Sequence, residues 1–384
     1  MKKFRLLLVL AVLAGSPAIA YAGFDEGKAA YDKGDYAKAY EEFKTLAEQE
    51  NAVAQNYLGA MYAAGQGVPK DYGEAMKWFL KAADQGLAYA QVNLGRMYAR
   101  GEGVPKDEAE AVKWYRKAAE QGHADAQVSL GNMYYSGNGV PKDYAEALKW
   151  YRKAADQGLA MAQYYLGRMY YNGQGVPQNY GEALNWTRKA ADQGLAMAQV
   201  NLGALYERGR GVPQNYAEAV NWYRMAADQG HVLGQYNLGL MHHLGHGVPM
   251  DYAEAAKWYR MASEQGDAQA QKALGRMYML GQGVPQDYAE ALKWTRKATD
   301  QGNPEAQTNL GNMYVNGEGV PKDYAEAMKW FRKAADQGLA SGQFNLGVMY
   351  ADGEGVPKDY AEALKWYRKA AKQGNVRAKT ILKE

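Results

Sequence analysis

Four of the five histidines fall close together, as His231, His242, His243 and His246. A His-His-x-x-His run is metal-site spacing, because residues four apart on a helix can present two imidazoles to one ion. The set of ligands stops there. The chain has no Cys, and no Asp or Glu stands within this turn, Glu207 lying further back in the chain. His242 stands where a recurring motif elsewhere carries Tyr98 or Tyr170, and His246 sits in a Gly-flanked turn. The histidines therefore read as local variation, with no metal and no cofactor.

Nucleophiles are equally sparse. Past residue 22 the serines are Ser129, Ser136, Ser263 and Ser341, and none begins a Ser-x-x-Lys motif. Neither Gly-x-Ser-x-Gly nor His-Glu-x-x-His is present, so acyl transfer and zinc hydrolysis lack their parts. A repeated Gly-x-Gly-Val-Pro turn imitates a phosphate loop, but its Pro has no N–H and no Gly-Lys-Ser/Thr follows. A Glu recurs nine times at one position, which marks it as structural. An enzyme reading is not supported.

Those positions recur because the whole chain does. Val-Pro places Pro at 69, 105, 141, 177, 213, 249, 285, 321 and 357, and all nine Trp, from Trp78 to Trp366, keep the same interval of 36 residues. Within one period, Ala88 to Tyr98 has apolar residues at helical spacing and ends at Gly101. The turn through Pro105 breaks the chain. Asp107 then offers an N-cap, with Glu110 as a capping-box partner, and the second helix stops at Glu120-Gln121-Gly122. Such a hairpin is too small to bury its own apolar face, so neighbours must stack. Residues 23–50 read as a related helical hairpin bent at Gly34, 51–374 as nine repeats, and 375–384 as a capping helix. In that last segment Lys383 replaces the Gly found at 59, 95 and 131.

Lys2, Lys3 and Arg5, the apolar stretch Leu6 to Ala14, and Ala20-Tyr21-Ala22 have the order of a signal peptide over residues 1–22. The stretch is too short to span a bilayer. The expectation is a periplasmic or secreted chain without an integral membrane segment after cleavage. Loss of the three leader cations leaves 42 basic against 42 acidic residues. A neutral chain offers no field for nucleic acid. With no Cys, its stability must come from packing.

The run A-x-A-Q-x-x-L-G-x-M-Y-x-x-G-x-G-V-P-x-D-Y-x-E-A-x-x-W-x-x-K-A-A-x-Q-G, as in Ala160 to Gly194, resembles the Sel1-like repeat, a relative of the tetratricopeptide repeat. The resemblance covers about residues 51 to 384. It implies an all-α, right-handed superhelical solenoid of about nine helix-turn-helix repeats, whose members are mostly adaptors for protein complexes. A disulfide-stapled Helicobacter branch, linked to penicillin binding, is a poor guide to a chain without Cys.

Comparison among the nine copies separates constant from variable positions. Leu94, Gly95, Met97 and Tyr98 recur as Leu166, Gly167, Met169 and Tyr170, and the constant Trp reads as core packing. Four variable columns of the first helix, stepped by three, four and three, share one face. That face carries Tyr89, Arg96, Tyr135, Met161, Tyr164, Arg168, Tyr171, Met197, Tyr236 and Arg276, a composition suited to a partner surface. The second column, which includes Val92 and Val128, could be partly structural. In the resembling folds the first helix lines the concave side. The expected function is a non-catalytic scaffold or regulator in the bacterial envelope, holding a peptide or protein segment. The alternatives are a secreted virulence factor engaging a host protein, and a cell-wall hydrolase or β-lactamase-like enzyme. Self-association through the N-terminal end is a further expectation.

Overall fold

The computed structural model describes residues 19–382, with side chains from residue 23. The signal-peptide reading and the role of Lys383 rest on residues outside the described side chains. The chain divides into two compact units, residues 1–178 and 179–384. Among the described residues every regular element is an α-helix.

The first unit holds α1 (Ile19–Lys33), α2 (Tyr36–Glu48), α3 (Ala52–Ala64), α4 (Tyr72–Asp84), α5 (Ala88–Arg100), α6 (Glu108–Glu120), α7 (Ala124–Ser136), α8 (Tyr144–Asp156) and α9 (Ala160–Asn172). The second begins with α10 (Tyr180–Asp192), α11 (Ala196–Arg208), α12 (Tyr216–Asp228), α13 (Val232–Leu244), α14 (Tyr252–Glu264) and α15 (Ala268–Leu280). It continues through α16 (Tyr288–Asp300), α17 (Pro304–Asn316), α18 (Tyr324–Asp336), α19 (Ala340–Asp352), α20 (Tyr360–Lys372) and the short α21 (Val376–Leu382). Odd-numbered helices are the first helices of the repeats, and even-numbered helices the second.

Helix ends follow local chemistry. Gly137 closes α7 at φ 80°, and the N–H groups of Gly137 and Asn138 both reach the Met133 carbonyl. An L side chain is disfavoured there. At the start of α6, Asp107 Oδ1 accepts from Glu110 N at 2.9 Å. The reciprocal arm of the expected capping box is absent. The Asp107 N–H donates instead to the Tyr98 carbonyl at 2.9 Å, which ties the turn back to α5. Released from that duty, the recurrent Glu pairs with Lys one turn on, as Glu110 with Lys113. In two repeats it also accepts the indole N–H, as Glu182 from Trp186 and Glu290 from Trp294.

The two helices of a hairpin approach so closely that no Cβ fits between them. A Cβ on Gly131 would lie 2.7 Å from the Tyr151 ring, and one on Gly95 would lie 2.7 Å from Tyr115. Tyr151 is almost wholly buried at 1 % exposure, so its ring has nowhere to go. The tryptophans are buried or half-buried, as core packing requires, with Lys117 Nζ 4.1 Å from the Trp114 ring centroid and Lys153 4.4 Å from Trp150. Each such cation covers the solvent edge of a core indole.

Two polar devices join one repeat to the next. The buried Gln127 Nε2 donates to the Ala119 carbonyl at the end of α6, while its Oε1 accepts from Gln157 Nε2 at 2.9 Å. Gln91 and Gln121, and Gln271 and Gln301, repeat the pattern. Free carbonyls at a helix end are thereby satisfied in the dry interior. The second device is an Arg that reaches the Tyr hydroxyl of the following first helix, as Arg116 to Tyr134 at 2.6 Å and Arg332 to Tyr350 at 2.5 Å. In the second unit His242 replaces that Tyr, and Arg224 Nη2 lies 3.4 Å from His242 Nε2.

Gly131→Ala should cost about 1–3 kcal/mol by overpacking, read as a lower urea midpoint in circular dichroism. An unchanged midpoint would show that Tyr151 can yield. Burial first, and Arg224 as well, hold His242 below the usual imidazole range, against the opposing carboxylates Glu254 and Asp251. Below about pH 6.5 the unfolded imidazole binds a proton that the folded one resists, so this site loses stability as pH falls from there toward the lowered folded value. His242→Tyr should therefore raise the melting midpoint more at pH 5 than at pH 8. An equal gain at both pH values would contradict this account.

Candidate functional site

The variable face is not uniform. Its second column is mostly interior: Asn56, Val92, Val128, Tyr164, Val200 and Thr308 are all buried. Tyr164, expected as a contact residue, is corrected here. Only 9 % of its surface is exposed, because this column points toward the packed side of the first helix. Its ring instead supports Arg168, whose guanidinium carbon lies 5.7 Å from the ring centroid.

The other expected residues of the first unit reach solvent at least in part. Tyr89 is half-buried, edge-on to the His123 ring at 4.6 Å. Arg96 is half-buried, and its Nη2 donates to Asn93 Oδ1 at 2.9 Å. Met161 and Tyr171 are half-buried, Tyr171 accepting at its carbonyl from Gln178 Nε2 at 2.8 Å. In the second unit Met197 and Tyr236 are half-buried, with Tyr236 5.8 Å from the Tyr259 ring, and Arg276 is exposed.

Tyr135 and Arg168 come together with Asn132, Tyr151, Tyr165 and Met169 around one cavity of about 40 Å³. Helices α7, α8 and α9 all contribute. The Tyr151 ring stacks on Tyr165 at 5.1 Å and forms an aromatic wall. Its hydroxyl donates to Asn132 Oδ1 at 2.7 Å. Tyr135 donates its hydroxyl to Gln174 Oε1 at 3.1 Å, and its ring lies 5.2 Å from Tyr144. Burial raises both the Tyr151 and the Tyr165 phenols, so they stay protonated donors. No residue lining the cavity is acidic.

Tyr165 and Tyr151 were not among the expected site residues. Tyr165 occupies a position where Asn93, Asn201, Asn237, Asn309 and Asn345 stand in other repeats, and that departure was the available signal. Tyr151 gave none, since its position is aromatic throughout most repeats for packing. Among the described residues, no three His, Cys, Asp or Glu side chains gather as a group that could hold an ion. His243 lies 5.1 Å from Tyr252, and burial followed by Arg276 holds it below the usual imidazole range.

Comparison with known proteins agrees with this architecture. The Sel1 repeat family model matches nine consecutive segments, from residues 52–87 to residues 340–375. A Sel1 repeat protein from Oxalobacter formigenes is 40% identical, the match covering 80% of this chain and 90% of that one with a TM-score of 0.62. The protein c5321, a protective antigen present in uropathogenic Escherichia coli strains and displaying an SLR fold, is 38% identical. That match covers 94% of this chain and 86% of that one, with a TM-score of 0.52. No curated protein matches. Nine consecutive copies of the motif, spanning most of the sequence, make this chain a member of the Sel1 repeat family.

Proposed function

We propose that this chain is an exported, non-catalytic scaffold that holds a segment of a partner protein along the first-helix face of its repeats, in the periplasm or outside the cell. Sel1 repeat proteins bind protein partners, and among the described residues no helix is long and apolar enough to cross a membrane. The observation that carries the reading is the cavity at Tyr135 and Arg168, which lies on the face where the nine copies differ. A surface freed from packing yet furnished with aromatic rings and a guanidinium supplies the side chains that dominate protein interfaces. The constant residues, by contrast, are consumed by hairpin and inter-repeat packing.

A second reading puts the partner on a host cell. Its support is the likeness to a protective antigen of uropathogenic Escherichia coli. Both readings use the same face and differ in the identity of what it holds.

The test is affinity capture by the full chain, tagged at its C-terminus and expressed in its native envelope. The comparison is with Tyr135→Ala/Arg168→Ala/Tyr171→Ala, after circular dichroism shows the helices intact. A protein held by the parent chain should fall at least about tenfold in yield with the triple variant. Equal capture by both would move the site off the first-helix face.

A further inference from the structure

The proteins this face receives can be narrowed by charge. Most arginines of the repeat serve structure: Arg116, Arg332 and their equivalents are held by the Tyr of the next repeat. Arg168 is of a different kind. It is exposed on the variable face, and among the described residues it forms no ion pair with any carboxylate. The buried Tyr164 ring fixes it from below, which limits the rotamer freedom it would lose on binding.

The cavity it borders is lined mainly by apolar surface, from the rings of Tyr135 and Tyr165 and from neighbouring side chains. The Arg168 guanidinium brings its five N–H donors to the edge of that space. About 40 Å³ suffices for a group of a few atoms and excludes a large ligand. A planar, anionic, acceptor-only group at the cavity mouth satisfies this guanidinium best, because a carboxylate can take two parallel N–H bonds from it. Arg96 lies in the same column two repeats earlier, where its guanidinium has the Asn93 amide as a partner and no carboxylate.

We infer that the cavity at Arg168 is an anchor for the carboxylate of an Asp or Glu side chain in an extended segment of a partner protein. The inference rests on the scaffold reading above and adds the chemistry of its occupant. The Tyr135 and Tyr165 rings receive the methylenes of the acidic side chain. Arg168 takes its oxygens. Arg96 provides a second cation for a further acidic residue of the same segment.

The test is selection by the full chain from a random library of peptides of about twelve residues, displayed with tethered C-termini so that only side chains can supply carboxylates. The selected peptides should be enriched in Asp or Glu. Arg168→Gln should weaken their binding at least about tenfold in fluorescence anisotropy, and Arg168→Lys should do so less. Enriched peptides without acidic residues, or peptides indifferent to Arg168→Gln, would overturn the carboxylate anchor while leaving a peptide-binding face intact. Enrichment only from a library with free C-termini would overturn the side-chain assignment in favour of a chain terminus. No enrichment from either library would count against the scaffold reading itself.

Discussion

An aromatic ring of the second helix lying against a glycine of the first is the contact on which most of the hairpins depend. Gly59 meets Phe79, Gly131 meets Tyr151 and Gly347 meets Tyr367, each so closely that a Cβ would stand under 3 Å from the ring. Only the absence of a side chain lets the helices settle at this separation. The remaining seam is filled by small and medium residues such as Ala126, Leu130 and Ala147, all fully buried. Where the aromatic is replaced, as by Thr295 opposite Gly275, the hydroxyl takes the place of the ring edge. Helix length, turn and cap are then secondary adjustments to one approach distance.

Close approach creates a second requirement, since it removes water from the helix ends. The Gln series meets it by donating to a terminal carbonyl and accepting from the next repeat. The Arg–Tyr clasps fasten the opposite side of the same interface. These devices occupy the inward and lateral faces of the first helix. One face of the first helix carries less of this structural duty, and there the copies diverge. Sequence divergence is therefore separated from folding by position within the repeat, as suits an array whose stability comes from neighbour contacts.

Much of the architecture was legible because repetition stands in for an alignment. The Trp and Val-Pro period, the αL glycines and the Asp or Asn caps each have a local chemical meaning, and the helices begin and end where those residues place them. The capping box misled because a sequence shows that Asp107 and Glu110 are suitably spaced but not which acceptor reaches the Asp107 N–H first. The Tyr98 carbonyl does, and it belongs to the preceding helix. Tyr164 misled for a related reason. Steps of three and four define a stripe wider than the exposed surface, and the burial of one edge depends on how the helices rotate against each other. The cavity itself was only half visible, as Tyr135 and Arg168, since its wall comes from a packing residue of the second helix.

The central claim is that the divergent first-helix face, and not the regular outer face of the second helices, meets the partner. A photoreactive benzoylphenylalanine placed at Tyr135 or at the exposed Lys149 of α8 tests this directly in living cells. The account predicts a covalent adduct of defined mass from position 135 and none from position 149. An adduct formed only from position 149 would contradict it.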